Sequence, residues 1–402
     1  MALLTAQHDE RRRVGFGLLG YGFMGKAHSN ALRTIPYIFW PSVARPELIA
    51  IAGRSEAGVR EAATRYGYGA YTTDWLDLLA DERVEVFDNV AADDAHVEPT
   101  LAAIHSGKHV VCEKPLASNA TDALRLYEAA SSRGVKHLVC FNYRFFPAVR
   151  LAWEMLNRDE LGPPNQARFR YSQEWRAGAD ATLPSPTGVL GIIGCHVFDQ
   201  ARFLCGEIKS VSAAITSTTD ERSYRGRLAD TDDAVAVVAQ FDSGLVAMID
   251  ASLVSPGRRN HLAWEINCAK GSLAWNLEEP NVLHVYRRGD TRTGGFTKVI
   301  ACESEHALAA PWWPSGHVLG WEHGHANMLA HFIDAIATEA SVEPFGATFY
   351  DGLRAAQIAE AVGEAARTGH WVKVPSASQG AALTPAASPS AAVASISPIA
   401  GA

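Results

Sequence analysis

From residue 13 to about residue 143, short apolar runs alternate with longer stretches of helical period. "RVGFGLL", "ELIAIAG", "VEVFDNVA", "HVVCEKP" and "HLVCFNY" read as strands. The first runs through a glycine turn into a helical stretch ending "NALRTI". "SEAGVREAATRYG", "HVEPTLAAIHSG" and "NATDALRLYEAASSRG" read as further helices, the first opened by Ser55 and closed near Gly67, the second closed by Gly107. Strands alternating with helices of this length predict a parallel sheet covered on both faces. The right-handed crossover rule makes that sheet doubly wound.

The pattern changes after Pro147. "AVRLAWEMLNRDE" keeps helical period, and then "QARFRYSQEW", "KSVSAAITSTT", "AVAVVAQF" and "LVAMIDASLV" alternate apolar and polar positions. The last two are joined by "DSG", a hairpin signal. "HLAWEINCAKGSLAWNLEEPNVLHVYRR" repeats the alternation around a turn at "AKGS". This predicts an open, mostly antiparallel sheet with one face buried. Two helical stretches follow, "HANMLAHFIDAIA" and "DGLRAAQIAEAVGEAART". Residues 375–402 carry no charge and consist mostly of Ala, Ser, Pro and Gly, a composition that cannot bury a core and is expected to be disordered.

Composition narrows the function classes. At 402 residues the chain suits two domains, and 48% hydrophobic with 20% charged residues suits a globular protein. A net charge of −8 without a long basic run argues against nucleic acid as a partner. Neither a leader segment nor a bilayer-length apolar run is visible, so a cytoplasmic protein without a membrane partner is expected. The six cysteines at 112, 140, 195, 205, 268 and 302 form no CxxC pair and read as buried thiols.

"GYGFMG" places Gly20, Gly22 and Gly25 in G-x-G-x-x-G spacing between a strand and a helix, with Phe23 and Met24 inside the motif. The first glycine makes the turn, the second admits a pyrophosphate to the backbone, and the third lets helix and strand pack closely. Residues 13–143 are therefore expected to form a Rossmann dinucleotide-binding domain. At the end of the second strand stand Gly53, Arg54 and Ser55, with no carboxylate for a ribose 2′-hydroxyl. Arg54 and Ser55 suit a 2′-phosphate, so NADP is slightly favoured over NAD. "CEKPLA" puts Glu113, Lys114 and Pro115 at the end of the fourth strand, where ligands of such sheets bind. A cis bond before Pro115 would fix that turn.

"GYGFMGKAH", "GKHVVCEKPLA", "FNYRFFPAV" and "GCHVFDQARFLCG", in that order, resemble the Gfo/Idh/MocA oxidoreductases over about residues 13–374. Within that family, "GFMGKAHS", "NYR..PAV" and Trp175 are most similar to levoglucosan dehydrogenase-like members. The resemblance implies an α/β fold with an N-terminal Rossmann domain and a C-terminal α/β domain, over 144–374, that binds substrate and supports a homodimer or homotetramer. It implies NAD(P)-dependent oxidation or reduction of a CH–OH group on a sugar, glycoside or sugar-like metabolite. Lys114 matches a residue that touches cofactor and reacting hydroxyl, together with Glu113. His196 matches the acid/base, and Tyr143 and Arg144 match residues near substrate and nicotinamide. His96 keeps a structural or cofactor-side position. Asp93, in "AAD", replaces the usual asparagine.

The stretch "GVLGIIGCHVFDQ" carries His196 with Cys195 beside it. Four residues before His196 the family pattern expects an aspartate, and this chain has Ile192. Three uses of the site stay open: an active oxidoreductase, with Asp199, Tyr143 or Glu174 compensating; a cofactor-binding regulator without turnover; and a non-redox or self-recycling tailoring enzyme. Losing one polar group shifts preference towards a more apolar substrate. Trp175 suits stacking on a sugar face. "PWWPSGHVLGWEHGHAN" gathers Trp312, Trp313 and Trp321 with His317, His323 and His325, as a loop or lid over the substrate, and is not expected to bind metal. "IFWPS" is a candidate pocket mouth, with core packing the safer reading, and "RSYRGRLADTDD" a mobile loop.

Overall fold

The computed structural model describes residues 9–177, 185, 187–218, 223–224, 227–228, 232–289 and 294–376. The expected tail from 377 onward and much of the polar loop at 222–233 lie outside them. The first sheet has six parallel strands in the order β3-β2-β1-β4-β5-β6. They are β1 (Arg12–Leu19), β2 (Ala44–Ala52), β3 (Ala70–Thr72), β4 (Val86–Asn89), β5 (His109–Cys112) and β6 (His137–Val139). Helices α1 (Phe23–Ile38), α2 (Glu56–Tyr66), α3 (Leu76–Ala80), α4 (Val97–His105) and α5 (Ala120–Arg133) connect them. The order reverses between β1 and β4, so the crevice outside their C-terminal ends is the natural ligand site. The short β3 and α3 escape the apolar pattern because β3 is an edge strand whose three residues are mostly exposed.

Helix α6 (Pro147–Asn157) leads into β7 (Pro164–Ser172). A π-helical turn (Leu190–Gly194) runs directly into α7 (Cys195–Cys205). Then come β8 (Ile208–Thr216), a two-residue hairpin β9 (Ser223–Tyr224) and β10 (Arg227–Leu228), β11 (Ala234–Phe241), β12 (Val246–Ser252), β13 (His261–Cys268), β14 (Gly271–Asn276), β15 (Val282–Arg287) and β16 (Thr297–Ile300). Among the described residues β9 and β10 pair only with each other, and β7, β8, β11 to β16 and β17 (Val372–Lys373) form a nine-stranded sheet, β16-β15-β14-β13-β7-β12-β11-β8-β17, antiparallel except for the β7–β12 pair. Alternation along β11 buries Val235, Val237, Ala239 and Phe241 against the helices and leaves Val238 exposed. Val246 and Met248 of β12 are exposed as well.

The end of the chain crosses back to the first sheet. Helices α8 (Trp321–Ala337) and α9 (Phe349–Thr368) return to the first sheet. Met328, Leu329, Phe332 and Ile333 of α8 share a core with Phe16, Leu32, Val86 and Val111, and Phe349 and Leu353 of α9 pack with Leu126 and Val139. Periodicity marks which face of a helix is apolar, but not which sheet it covers. The return of α8 brings its N-terminal residues to the strand ends of the first sheet. Among the described residues no helix is long and apolar enough to cross a membrane.

Candidate active site

The glycine turn is built as its spacing predicts. Gly20 has φ +106°, and a Cβ there would lie 2.9 Å from the Val90 carbonyl oxygen. A Cβ on Gly25 would lie 2.5 Å from the Gly20 oxygen, which fixes the close packing of α1 on β1. A Cβ on Gly22, the residue before α1, would meet nothing within 4 Å among the described residues, so the helix N-terminus faces open space. That space is the inner end of a cleft of about 850 Å³ bordered by Gly20, Gly22, Phe23, Met24, Arg54 and Ala91. A free helix N-terminus with no acidic residue in its first turn fits a pyrophosphate.

Several residues assigned to this cleft have other work. Ser55 caps α2, accepting the Gly58 N–H at 3.3 Å. His96 is fully buried, its ring nitrogens 2.7 Å from the Pro115 carbonyl oxygen and 3.2 Å from that of Ala91, so it ties the Lys114–Pro115 turn to the end of β4. That Lys114–Pro115 bond is cis. Asp93 accepts from Ser185 and, at 3.5 Å, from Thr187. It thus joins the first domain to the segment before α7 and does not border the cleft. Tyr21, Trp75 and Asp94 line it instead.

A second cavity of about 470 Å³ adjoins the first, Phe23 and Met24 bordering both. Lys114, Tyr143, Ile192, His196 and Trp175 face it together, as the sequence predicts. The Lys114 ammonium donates to the Ile192 carbonyl at 2.9 Å. Position 192 therefore contributes a backbone acceptor as well as an apolar wall. Burial alone would depress Lys114, but its interactions with Cys195, Glu113, Asp93 and Tyr143 outweigh it and hold the ammonium above its ordinary value. His196 is 5% exposed, with Tyr143, Phe141 and Tyr171 rings 4.8, 5.7 and 6.0 Å away. Burial, then the Lys114 charge, push the imidazole well below its ordinary value, so it stands neutral beside a cation.

Beneath Lys114 lies a charge cluster that the sequence did not announce. His28 Nδ1 is 3.0 Å from both oxygens of Asp88, and its Nε2 is 3.2 Å from Glu113. Burial opposes the His28 charge, but Asp88 overcomes it and raises the imidazole well above its usual value. Burial likewise pushes Glu113 up, yet its bond to His28 and the charges of His28 and Lys114 bring it down to about 2. Glu113 also accepts the Lys114 backbone N–H at 3.0 Å. The glutamate thus holds the turn rather than a cofactor. His28, Glu113 and Cys140 place potential metal-ligand atoms within 4.8 Å of one another, but the two nitrogens of His28 already face carboxylates.

Another wall was missed except for its last residue. Tyr171, Gln173 and Trp175 are spaced by two, so an extended chain points them the same way. Tyr143 and Tyr171 hydroxyls lie 2.9 Å apart, Tyr171 donates to Asn260 at 2.7 Å, Gln173 to Asn260 at 2.8 Å, and Trp175 to Gln173 at 2.6 Å. Trp321 and His325 complete the cavity from one face of α8. His317 and His323 do not join them: each ring nitrogen Nδ1 serves a local turn, at Pro314 and Gly320 respectively. Trp312 is buried and donates to Asn327. "IFWPS" is not a mouth, since Trp40 lies under the Arg11 guanidinium away from the cavity.

Four further expectations are corrected. Arg144 is 3% exposed and forms ion pairs with Asp199 and Asp351, so it does not reach substrate. Asp199, committed to Arg144, cannot compensate for Ile192. Glu174 faces Arg259 and the Gly257 N–H. Cys195 bonds to the Gly191 carbonyl at 3.0 Å and faces a separate pocket beside Pro115 and Ala355.

Two family profiles match the chain: an NAD-binding Rossmann-fold oxidoreductase family over residues 14–141, and the GFO/IDH/MocA C-terminal domain over residues 149–274. The chain belongs to the GFO/IDH/MocA oxidoreductase family. It is 33% identical over 389 residues to the levoglucosan dehydrogenase of Pseudarthrobacter phenanthrenivorans, covering 90% of this chain and 99% of the relative. It is 27% identical over 355 residues to the inositol 2-dehydrogenase of Rhizobium meliloti, covering 87% and 95%. The solved structure of levoglucosan dehydrogenase with NADH and levoglucosan superposes with a TM-score of 0.86 at 33% identity, over 91% of this chain and 100% of that one. This GFO/IDH/MocA oxidoreductase thus pairs the family's NAD-binding domain with a cavity walled by tyrosine, tryptophan, amide and histidine side chains.

Proposed function

We propose that the protein is an NAD(P)-dependent dehydrogenase or reductase acting on a secondary alcohol or ketone of a sugar, glycoside or sugar-like metabolite. The observation that carries this reading is that the cofactor cleft and the second cavity share Phe23 and Met24 as a border, and that Lys114 and His196 line the second. Nicotinamide, when bound, takes up or gives the hydride. Lys114 has three N–H donors, of which one goes to Ile192, so the others are available to polarise the substrate oxygen. The neutral His196 takes the hydroxyl proton during oxidation and returns it during reduction. The Ile192 carbonyl steadies Lys114, a share of the work that an acidic side chain there would otherwise do. Ile192, Ile193 and Phe23 make one part of the cavity apolar, which suits a substrate with a dehydrated or capped flank.

Arg54 borders the cofactor cleft beside Gly53, and no carboxylate stands at the end of β2, which supports acceptance of NADP with NAD as the other candidate. The exposed Val238, Val246 and Met248 on the uncovered sheet face support a homodimer or homotetramer, which sedimentation of the full chain checks. The main reading is tested by following reduced-cofactor absorbance with NAD and NADP across a panel of levoglucosan, inositols, pentoses and aryl glycosides. Turnover of at least one, lost by about 10²–10⁴-fold in His196→Ala, is expected. Tight cofactor binding with no turnover across the panel would instead favour the regulator.

A further inference from the structure

Among the described residues, two polar groups at the cavity have no hydrogen-bond partner. Both ring nitrogens of His325, which is 1% exposed, lack a hydrogen bond, as does the Asn142 side-chain N–H₂, with that residue 3% exposed. Both residues line the cavity that holds Lys114 and His196. The backbones that carry them pass close together: a Cβ on Gly324, the residue before His325, would lie 3.2 Å from the Asn142 carbonyl oxygen. The His325 ring is braced by Trp321, 4.5 Å away and edge-on, and by His28 at 5.6 Å. A buried amide or imidazole left unpaired costs on the order of 1–3 kcal/mol, so such groups in a native fold point to something that pairs them.

We propose that His325 and Asn142 form a hydroxyl-binding pair that selects a neutral polyol ring, fixing the hydroxyls next to the carbon that reacts at Lys114 and His196. This rests on the dehydrogenase reading for the reacting carbon, but not for the binding itself. A neutral imidazole offers one donor and one acceptor, so His325 can accept from one hydroxyl and donate to the next, and Asn142 adds a donor. Among the described residues lining the cavity, Lys114 is the lone cation and the Glu113 carboxylate is engaged by His28 and by a backbone N–H. The free ligands are thus neutral donors and acceptors, which match sugar hydroxyls and leave no additional counter-charge for a sugar acid or phosphate.

The test titrates levoglucosan and L-sorbose calorimetrically into the NADH-loaded full chain, beside His325→Phe, His325→Gln and Asn142→Ala. Phenylalanine keeps the ring packing against Trp321 and removes both nitrogens. Loss of at least about tenfold in sugar affinity is expected for His325→Phe, with NADH affinity unchanged and a smaller loss for His325→Gln. Should His325→Phe fail to fold, His325→Gln and Asn142→Ala are each expected to weaken the sugars several-fold. Sugar affinities in the folded variants equal to wild type overturn the pair, as does failure of the wild type to bind either sugar. Sugar binding that depends on His325 without any turnover breaks the dehydrogenase reading alone. Turnover with sugar affinity unmoved in the variants breaks the pair alone.

Discussion

Two buried charge clusters meet helix α7 and its π turn, and only one borders the cavity. The first joins Asp88, His28, Glu113 and Lys114. The second joins Arg144, Arg202 and Arg354 with Asp199, Asp351 and Glu207, tying α7 to α9. In the second cluster the arginines are paired with carboxylates inside the fold. In the first, the Lys114 ammonium makes one hydrogen bond, to a carbonyl, and keeps donors facing the cavity. The difference teaches what burial of charge is for: a closed cluster fixes elements, and a cluster with donors left over presents a charge to a ligand.

The contrast is sharpest where the two clusters are broken separately. Arg144→Ala leaves Asp199 buried without its partner and is expected to cost about 3–5 kcal/mol, read by urea unfolding. The residual folded enzyme should keep its KM, and a raised KM without loss of stability would return Arg144 to the substrate. Lys114→Ala should do the opposite. Losing an electrostatic donor at the reacting oxygen costs about 10²–10³ in kcat, with little change in unfolding midpoint. Replacing the Arg144–Asp199 pair with Met and Leu together should recover much of the stability lost in Arg144→Ala, since an apolar pair of similar volume avoids the unpaired charge.

A subtler expectation concerns pH. His196 works as a neutral base and its value lies well below the ordinary 6.5. Protonation disables it, so kcat/KM in the oxidation direction should hold as pH falls through 6.5 and decline only below that point. An acid limb centred at or above 6.5 in the pH–rate profile would assign the base elsewhere. The smallest effect belongs to Arg54, an exposed residue at the cleft edge. Arg54→Glu should shift the NADP/NAD ratio of kcat/KM towards NAD by about fivefold at most, because exposed pairs contribute about 0.2–1 kcal/mol.

The cofactor half of the site was legible because its parts are local. Gly20, Gly22 and Gly25 act through backbone geometry within six residues, and a spacing rule captures that. Lys114, Tyr143, Trp175 and His196 were found through family motifs and do share one cavity. Arg144 misled because it lies next to Tyr143, and adjacent residues in a short helical turn point different ways. Tyr171 and Gln173 could have been found by extending period two back from Trp175. Trp321 and His325 could have been paired by their spacing of four in a helix.

By itself the sequence determined the α/β class, the glycine turn and the alternation that leaves one face of the second sheet open. Each depends on interactions between residues close in the chain, where period, propensity and spacing act directly. Only the tertiary structure decided that α8 folds back on the first sheet, that His28 bridges Asp88 and Glu113, and that Arg144 closes a structural cluster. It also decided that Ile192 offers its carbonyl to Lys114, and that His325 and Asn142 both line the cavity with these side-chain atoms unpaired among the described residues. These contacts join segments as far apart as residues 28 and 325. Which of many buried polar groups meet is set by how whole elements pack, and no local pattern encodes that choice.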